Sequence, residues 1–444
     1  MPELPYLEEV KQQYEDLPYP PRNPADDARV LRQSTPTCLL AINHHCFGGK
    51  RDFRAGFRCL VAGGGTGDAL IFLAEQLRDY DTEVVYLDFS STARGIAEER
   101  ARVRGLNNIR WITASIMELP RLDLGDFDFI ECCGVLHHLE STEAGLQALN
   151  SVLKEDGAIY LMLYGTYGRR AIYDMQNLLR NYLPGDRDAR EKIRMCRQLL
   201  AGLPGTNSFI RHLAALGLEF NEKVFDDAEI FDLLLHSQDR CFDVPGLYAL
   251  AQSAGLHLLS FALRSDAYDP VSHVSDRAVQ EYLKTLNPRR QQALAEQMVS
   301  DIDRHYFYLA RQPGRGASWH DQGNALRAYG PLMRGAPQIA DAMVPGPGNV
   351  LNLQTDDRVL QIPCTAIAKI IYAHMDGVTS MRTLRERIME TVPNVTPTAI
   401  ERELESIYNQ LHPHGYLFLH EAAGYGVTMP DYLKFSDPIA SCES

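Results

Sequence analysis

The stretch LVAGGGTGDALIFLAEQL, Leu60 to Leu77, decides how this chain is read. It opens on an apolar run of strand character, passes through a cluster of glycines, and ends in a helical pattern. Leu70, Leu73 and Leu77 recur at spacings of three and four, which predicts a helix over Asp68–Leu77. A glycine-rich turn between a strand and a helix brings backbone N–H groups against a nucleotide-like ligand. A dinucleotide turn needs G-x-G-x-x-G, and its third glycine would fall on Asp68. A carboxylate there repels a pyrophosphate. It suits a ligand that carries a positive amino group and no phosphate.

Strands and helices alternate outward from this turn. EVVYLDFS (Glu83–Ser90) reads as a second strand with Asp88 at its end, at the distance of a ribose-binding carboxylate. Ser91 to Arg104 reads as a helix stopped by Gly105. IRWITAS (Ile109–Ser115) and FDFIECCG (Phe127–Gly134) are a third and a fourth strand, and AIYLMLY (Ala158–Tyr164) a fifth, reached through a helix over Ala144–Leu153. Such alternation predicts a parallel sheet with helices on both faces. Residues 166–255 read as mostly helical. Because GLHLLSFAL (Gly255–Leu263) and HYFYLARQ (His305–Gln312) look like late strands, this block is expected as an insertion in the sheet domain.

QPGRGAS (Gln312–Ser318) is the linker candidate. A smaller unit follows, with helices at Ala366–His374 and Met381–Met389. A third helix opens at Thr396-Pro397 and carries Ile400, Leu404, Ile407 and Leu411 on its inner face, and GYLFLHEA closes the unit as a strand. The expected architecture is α/β: a Rossmann-like sheet with a helical insertion, plus a small α+β, winged-helix-like C-terminal domain. The expected boundaries are 1–56 for an N-terminal arm or lid, 57–312 for the sheet domain, 313–317 for the linker and 318–444 for a regulatory or interaction module.

LVAGGGTGD, VVYLDFS, IRWITASIMELP and FDFIECCGVLHHL together resemble consecutive motifs of the class I S-adenosylmethionine-dependent methyltransferases. The resemblance covers about residues 57–165 and resumes over 255–312. It implies S-adenosyl-L-methionine as cofactor, with Gly63, Gly65 and Gly67 under its methionine end and Asp88 on the ribose hydroxyls. Ser115 and Ile116 then lie beside the adenine, and Cys133, Gly134 and Val135 line the cleft. The chain departs from the family at the end of strand one, where Val61 replaces a frequent acidic residue; Asp68 is expected to help hold the amino group instead. It departs again at Ser115, where the family often has aspartate. The arm YEDLPYPPRNP, the YGTYGR segment, the insertion and the terminal module are loosely similar to bacterial methyltransferases with a regulatory-type C-terminal domain. That group includes rickettsial outer-membrane-protein lysine methyltransferases.

Candidate catalytic residues lie after strands four and five, because ligands sit outside the carboxyl ends of parallel strands. They are His137, with its neighbour His138, and Tyr164 and Tyr167, whose rings can face a cation. Arg169 reads as a substrate carboxylate ligand or as the partner of an acid such as Asp174. HSQDRCFDVP (His236–Pro245) reads as a polar turn with Asp243 as a cap. Tyr14 and Tyr19 sit on an arm that can close over the cofactor. His44 and His45 lack the spacing of a zinc motif, and no metal is expected.

The formal net charge of −14 argues against nucleic-acid partners. Nine scattered cysteines with no C-x-x-C pair suit a reducing compartment, and no apolar run is long enough to span a membrane, so a cytoplasmic protein is expected. The partner is an unidentified methyl acceptor, protein or small molecule, and homodimerisation through the terminal module stays open. The alternatives are a catalytically weak S-adenosylmethionine-binding regulator and, disfavoured by Asp68, a nicotinamide oxidoreductase.

Overall fold

The structure is a computed structural model. It describes residues 15–422 apart from 184, 186, 221–224, 237, 333–335 and 355–358. Strands β1 (Ala55–Ala62), β2 (Asp81–Asp88), β3 (Ile109–Thr113), β4 (Phe127–Cys133) and β5 (Leu153–Gly165) form the parallel part of one sheet. The two-residue β6 (Cys241–Phe242) pairs with the end of β5. β7 (His257–Phe261) and β8 (Arg304–Ala310) complete the order β3-β2-β1-β4-β5-β8-β7, with β8 antiparallel to both neighbours. The late strands therefore belong to the sheet domain, as their position in the sequence predicts.

The helix Asp68–Leu77 forms at its predicted residues, but it is buried on more than the predicted face: Ile71, Phe72 and Ala74 are as covered as Leu70, Leu73 and Leu77. The N-terminal segment packs on its outer side. Gln76 accepts the Leu39 N–H at 2.9 Å and donates to the Thr37 carbonyl at 3.0 Å. The helix Ser91–Arg104 ends as predicted on Gly105 in a left-handed conformation. Helices Arg170–Tyr182, Ala189–Ala201 and Ser208–Ala215 form the insertion around their own core of Ile172, Met175, Leu179, Ile193, Phe209 and Leu213.

Beyond the linker, helices Ala366–Ala373, Met381–Thr391 and Pro397–Leu411 pack on an antiparallel sheet of order β12-β9-β13. Its strands are β9 (Asn324–Ala328), β12 (Asp376–Ser380) and β13 (Leu417–Glu421). Only β13 is predicted by the sequence pattern; β9, β12 and the hairpin β10–β11 (Val350–Gln354, Val359–Pro363), each five residues long like β13, are strands the reading does not include. The fully buried helix Leu39–Cys46 joins the two parts. His44 accepts the Leu419 N–H at 3.1 Å on Nδ1 and bonds the Tyr408 hydroxyl at 2.9 Å through Nε2. Residues 423–444 of the expected terminal module lie outside the described residues. Among the described residues no helix is long and apolar enough to cross a membrane.

Candidate functional site

β1 and β4 are adjacent in the sheet although β2 and β3 lie on the other side of β1, so strand order reverses between them and a crevice opens at their carboxyl ends. Gly63, Gly64 and Gly65 face Cys133, Gly134 and Val135 across it, all six half-buried between strands that are otherwise covered. The two loops touch. A Cβ on Gly63 would stand 2.4 Å from a Val135 methyl, and its φ of +76° also favours glycine. A Cβ on Gly65 would meet the Tyr19 carbonyl at 2.8 Å. Gly67, φ +100°, starts the following helix.

Asp88 stands at the end of β2, as its motif predicts. One oxygen accepts the Gly65 N–H and the other the Ser90 N–H, both at 2.8 Å. Burial pushes this carboxyl above its ordinary range, against the backbone N–H groups of Ser90, Gly65 and Phe89. Ser115 caps the short helix Ile116–Arg121: its hydroxyl accepts the Met117 N–H and its own N–H goes to Glu118 at 2.7 Å. Ser115 and Ile116 are thereby held as a buried wall beside β3.

The N-terminal arm lies over this end of the sheet. Thr66 donates to the Pro20 carbonyl at 2.7 Å. Glu15 reaches the N-terminus of helix Ser91–Arg104, where it accepts from the backbone N–H groups of Ser91 and Thr92 at 2.7 and 3.0 Å. Against the opposing effect of partial burial, the Thr92 and Ser91 donors pull its carboxyl down to about 2. Tyr19 is part of this cover; Tyr14 lies outside the described residues.

Asp68 has a different environment from the one its sequence position suggests. Both oxygens are engaged by guanidinium groups, Arg22 at 2.7 Å and Arg100 at 2.7 Å. Burial raises its pKa, but these two cations outweigh that and hold the carboxyl below its ordinary value. Arg100, 1% exposed, is also bound to the buried Asp27 at 2.6 Å. Asp68 thus ties the arm to two helices, and an amino group would have to compete with two arginines for it.

The half-buried glycine turn, the Asp88 carboxylate and the covered wall at Ser115 and Ile116 fit a nucleoside without phosphates. Residues 60–159 match the sequence family described as a methyltransferase domain. The chain carries an S-adenosylmethionine-dependent methyltransferase domain. It is 28% identical over 274 residues to an uncharacterized Synechococcus protein, covering 61% of this chain and 64% of that one. It is 28% identical over 126 residues to a ubiquinone/menaquinone biosynthesis C-methyltransferase of Shewanella, covering 28% and 49%. The chain thus spans about half to two thirds of the length of these curated relatives. The solved structure of PKMT2 from Rickettsia typhi in complex with AdoHcy shares the fold, with a TM-score of 0.61, 15% identity and coverage of 91% of this chain and 77% of that one.

The other side of the crevice lies past β4 and β5. His137, Tyr164 and Arg169 are all buried and stacked: the His137 and Tyr164 rings are 3.8 Å apart, and the Arg169 guanidinium sits 3.5 Å from the Tyr164 ring centre. Tyr164 is 6% exposed and already packed against these two groups, so it does not offer its ring to a substrate cation. Its hydroxyl instead donates to Asp232 at 3.4 Å. Tyr167, half-buried, has the Arg170 guanidinium 4.6 Å from its ring. Arg169 pairs with Asp239 at 3.3 Å rather than with Asp174, and Tyr173 and Gln176 also donate to Asp239. Asp243 caps its helix through the Gly246 N–H, as predicted.

His138, Asp232 and His236 bring potential ligand atoms within 4.8 Å of one another. Their hydrogen bonds decide the tautomers. His138 Nδ1 faces the Gln238 carbonyl and so carries the proton; His236 Nδ1 accepts the Gln238 N–H, so its proton is on Nε2. That leaves His236 no lone pair to give a metal. His44, His45 and His412 form a second such cluster, but His44 already uses both ring nitrogens. Sequence reasoning missed Glu15, Arg22, Arg100, Asp232 and Asp239. The polar density of HSQDRCFDVP was the one local signal for the last of these.

Proposed function

We propose that this chain methylates an amine acceptor, a protein lysine or a small-molecule amine, with S-adenosylmethionine as methyl donor. Bound there, the cofactor supplies a methyl group already activated on a sulfonium. The protein's task is to align the nucleophile, exclude water and accept its proton.

The observation that carries the reading is His137. Its side chain is fully buried beside the cofactor loop, and neither ring nitrogen has a hydrogen-bond partner among the described residues. Burial, reinforced by His138 and Arg169, depresses its pKa well below the ordinary histidine value, so the ring is neutral and one of its nitrogens carries a free lone pair. Asp232 and Glu229 stand on the insertion nearby, and burial together with Asp232 raises the Glu229 carboxyl to about 7. Acidic groups around a neutral base suit a substrate that arrives as an ammonium and reacts as an amine.

The C-terminal unit is read as an interaction module of winged-helix-like build, since Ala366–Ala373, β12, Met381–Thr391, Pro397–Leu411 and β13 follow in helix–strand–helix–helix–strand order. The function is tested by incubating the chain with radiolabelled S-adenosylmethionine and cell extract, then separating protein from small molecules. Label in an amine-containing product of either fraction supports the reading. Label in neither fraction above an Asp88→Ala control refutes it and favours a regulator that binds the nucleoside without turnover.

A further inference from the structure

S-adenosylmethionine carries an α-ammonium, and the site must supply a negative charge for it. Of the carboxylates around the strand ends, Asp68 is held by two arginines, Asp88 by Gly65 and Ser90, Glu15 by Ser91 and Thr92, and Glu118 by Ser115. Glu131 is different. It lies on β4, 3% exposed, and among the described residues no basic side chain is within salt-bridge distance of it.

Its position is set by register. In the parallel pairing of β1 with β4, Glu131 stands opposite Val61, and across β5 it stands opposite Tyr160. Residues in register on neighbouring strands project to the same face. Glu131 therefore sits one strand away from the apolar Val61, on the seam where strand order reverses, two residues before β4 ends. The backbone N–H of Cys133, two residues on at the end of β4, is the group that favours its charged form. Directly above, the loops after β1 and β4 meet at Gly63 and Val135.

We infer that Glu131 binds the α-ammonium of the cofactor's methionine moiety, supplying from β4 the charge that β1 lacks at Val61. This rests on the cofactor assignment and is independent of the acceptor. The environment agrees: burial raises the Glu131 carboxyl to about 8, with only the Cys133 N–H opposing, the state of a buried acid that lacks its counter-charge. Its other neighbours are Tyr160, Cys132 and Cys133, and burial keeps the Tyr160 hydroxyl protonated.

Calorimetric titration of the full chain with S-adenosylhomocysteine, and with its analogue lacking the α-amino group, tests the inference. The native chain is expected to prefer the aminated nucleoside by about 10- to 100-fold, the worth of a hydrogen bond to a charged group. Glu131→Gln is expected to lose most of that preference while binding 5′-methylthioadenosine, which has no amino acid, as the native chain does. A preference of undiminished size in the Gln variant overturns the inference. If the Gln variant does not fold, Glu131→Leu makes the same comparison, because an apolar side chain suits the row between Val61 and Tyr160. A native chain that binds none of the three nucleosides removes the cofactor assignment and this inference with it, a result distinct from an undiminished preference in the variant.

Discussion

Replacing Glu131 by glutamine should change how the stability of the ligand-free protein depends on pH. The carboxyl ionises at its ordinary 4.5 in the unfolded chain and at about 8 in the folded one, because burial disfavours the charge. Below 4.5 both states are protonated and the group costs nothing. Between 4.5 and about 8 the folded chain holds a proton that the unfolded chain has released, so stability falls as pH rises through that window. At about 1.36 kcal/mol per unit, the loss is about 3 kcal/mol by neutral pH and about 5 kcal/mol once the folded state also ionises. Glutamine has no such term, so native minus variant stability should decline across the window by that amount and then level off. Urea unfolding at a series of pH values measures it. Trp111 lies in the sheet domain and Trp319 in the C-terminal unit, and they are the chain's two tryptophans, so a Trp319→Phe background makes the fluorescence report on the sheet domain. S-adenosylhomocysteine at saturation should flatten the native profile by supplying the counter-charge. A difference between native and variant that does not vary with pH would refute the argument, because it would show that Glu131 has no raised folded-state pKa.

Other perturbations reach the arm and the acceptor side. Arg100→Met leaves the buried Asp27 without its cation and should cost about 3–5 kcal/mol in chemical denaturation, as breaking a buried pair does. Glu15→Ala removes the acceptor that holds the arm to the Ser91 and Thr92 N–H groups; the chain should become more sensitive to trypsin in the arm and bind S-adenosylhomocysteine several-fold more weakly, with global stability little changed. His137→Phe keeps the ring stack on Tyr164 but removes the proton acceptor. It should lower kcat by about 10²–10⁴-fold with little effect on nucleoside affinity, and an equal loss in both would make His137 a packing residue. Gly63→Ala places a methyl against Val135 and should weaken nucleoside binding measured by calorimetry.

Patterns confined to one stretch of chain are legible in the sequence. Apolar runs broken by glycines and amphipathic helices predict the sheet domain, because a strand or helix is written in the period of its own residues. The glycine turn and Asp88 are legible for the same reason: each belongs to a motif at the end of a single strand. The Asp68 environment is not legible, since its partners Arg22 and Arg100 lie 46 and 32 residues away and meet it only when the arm crosses the sheet. The pairing of Asp239 with Arg169, 70 residues apart, is hidden in the same way.

Glu131 marks the boundary between the two kinds of information. The sequence by itself determined that an acid stands in the otherwise apolar run FDFIECC, and that strand one ends in valine where an acid is frequent. Which strand lies beside β1, and in which register, was decided only by the tertiary structure. A parallel neighbour is set by crossovers of dozens of residues and by how whole faces pack, which no local period records.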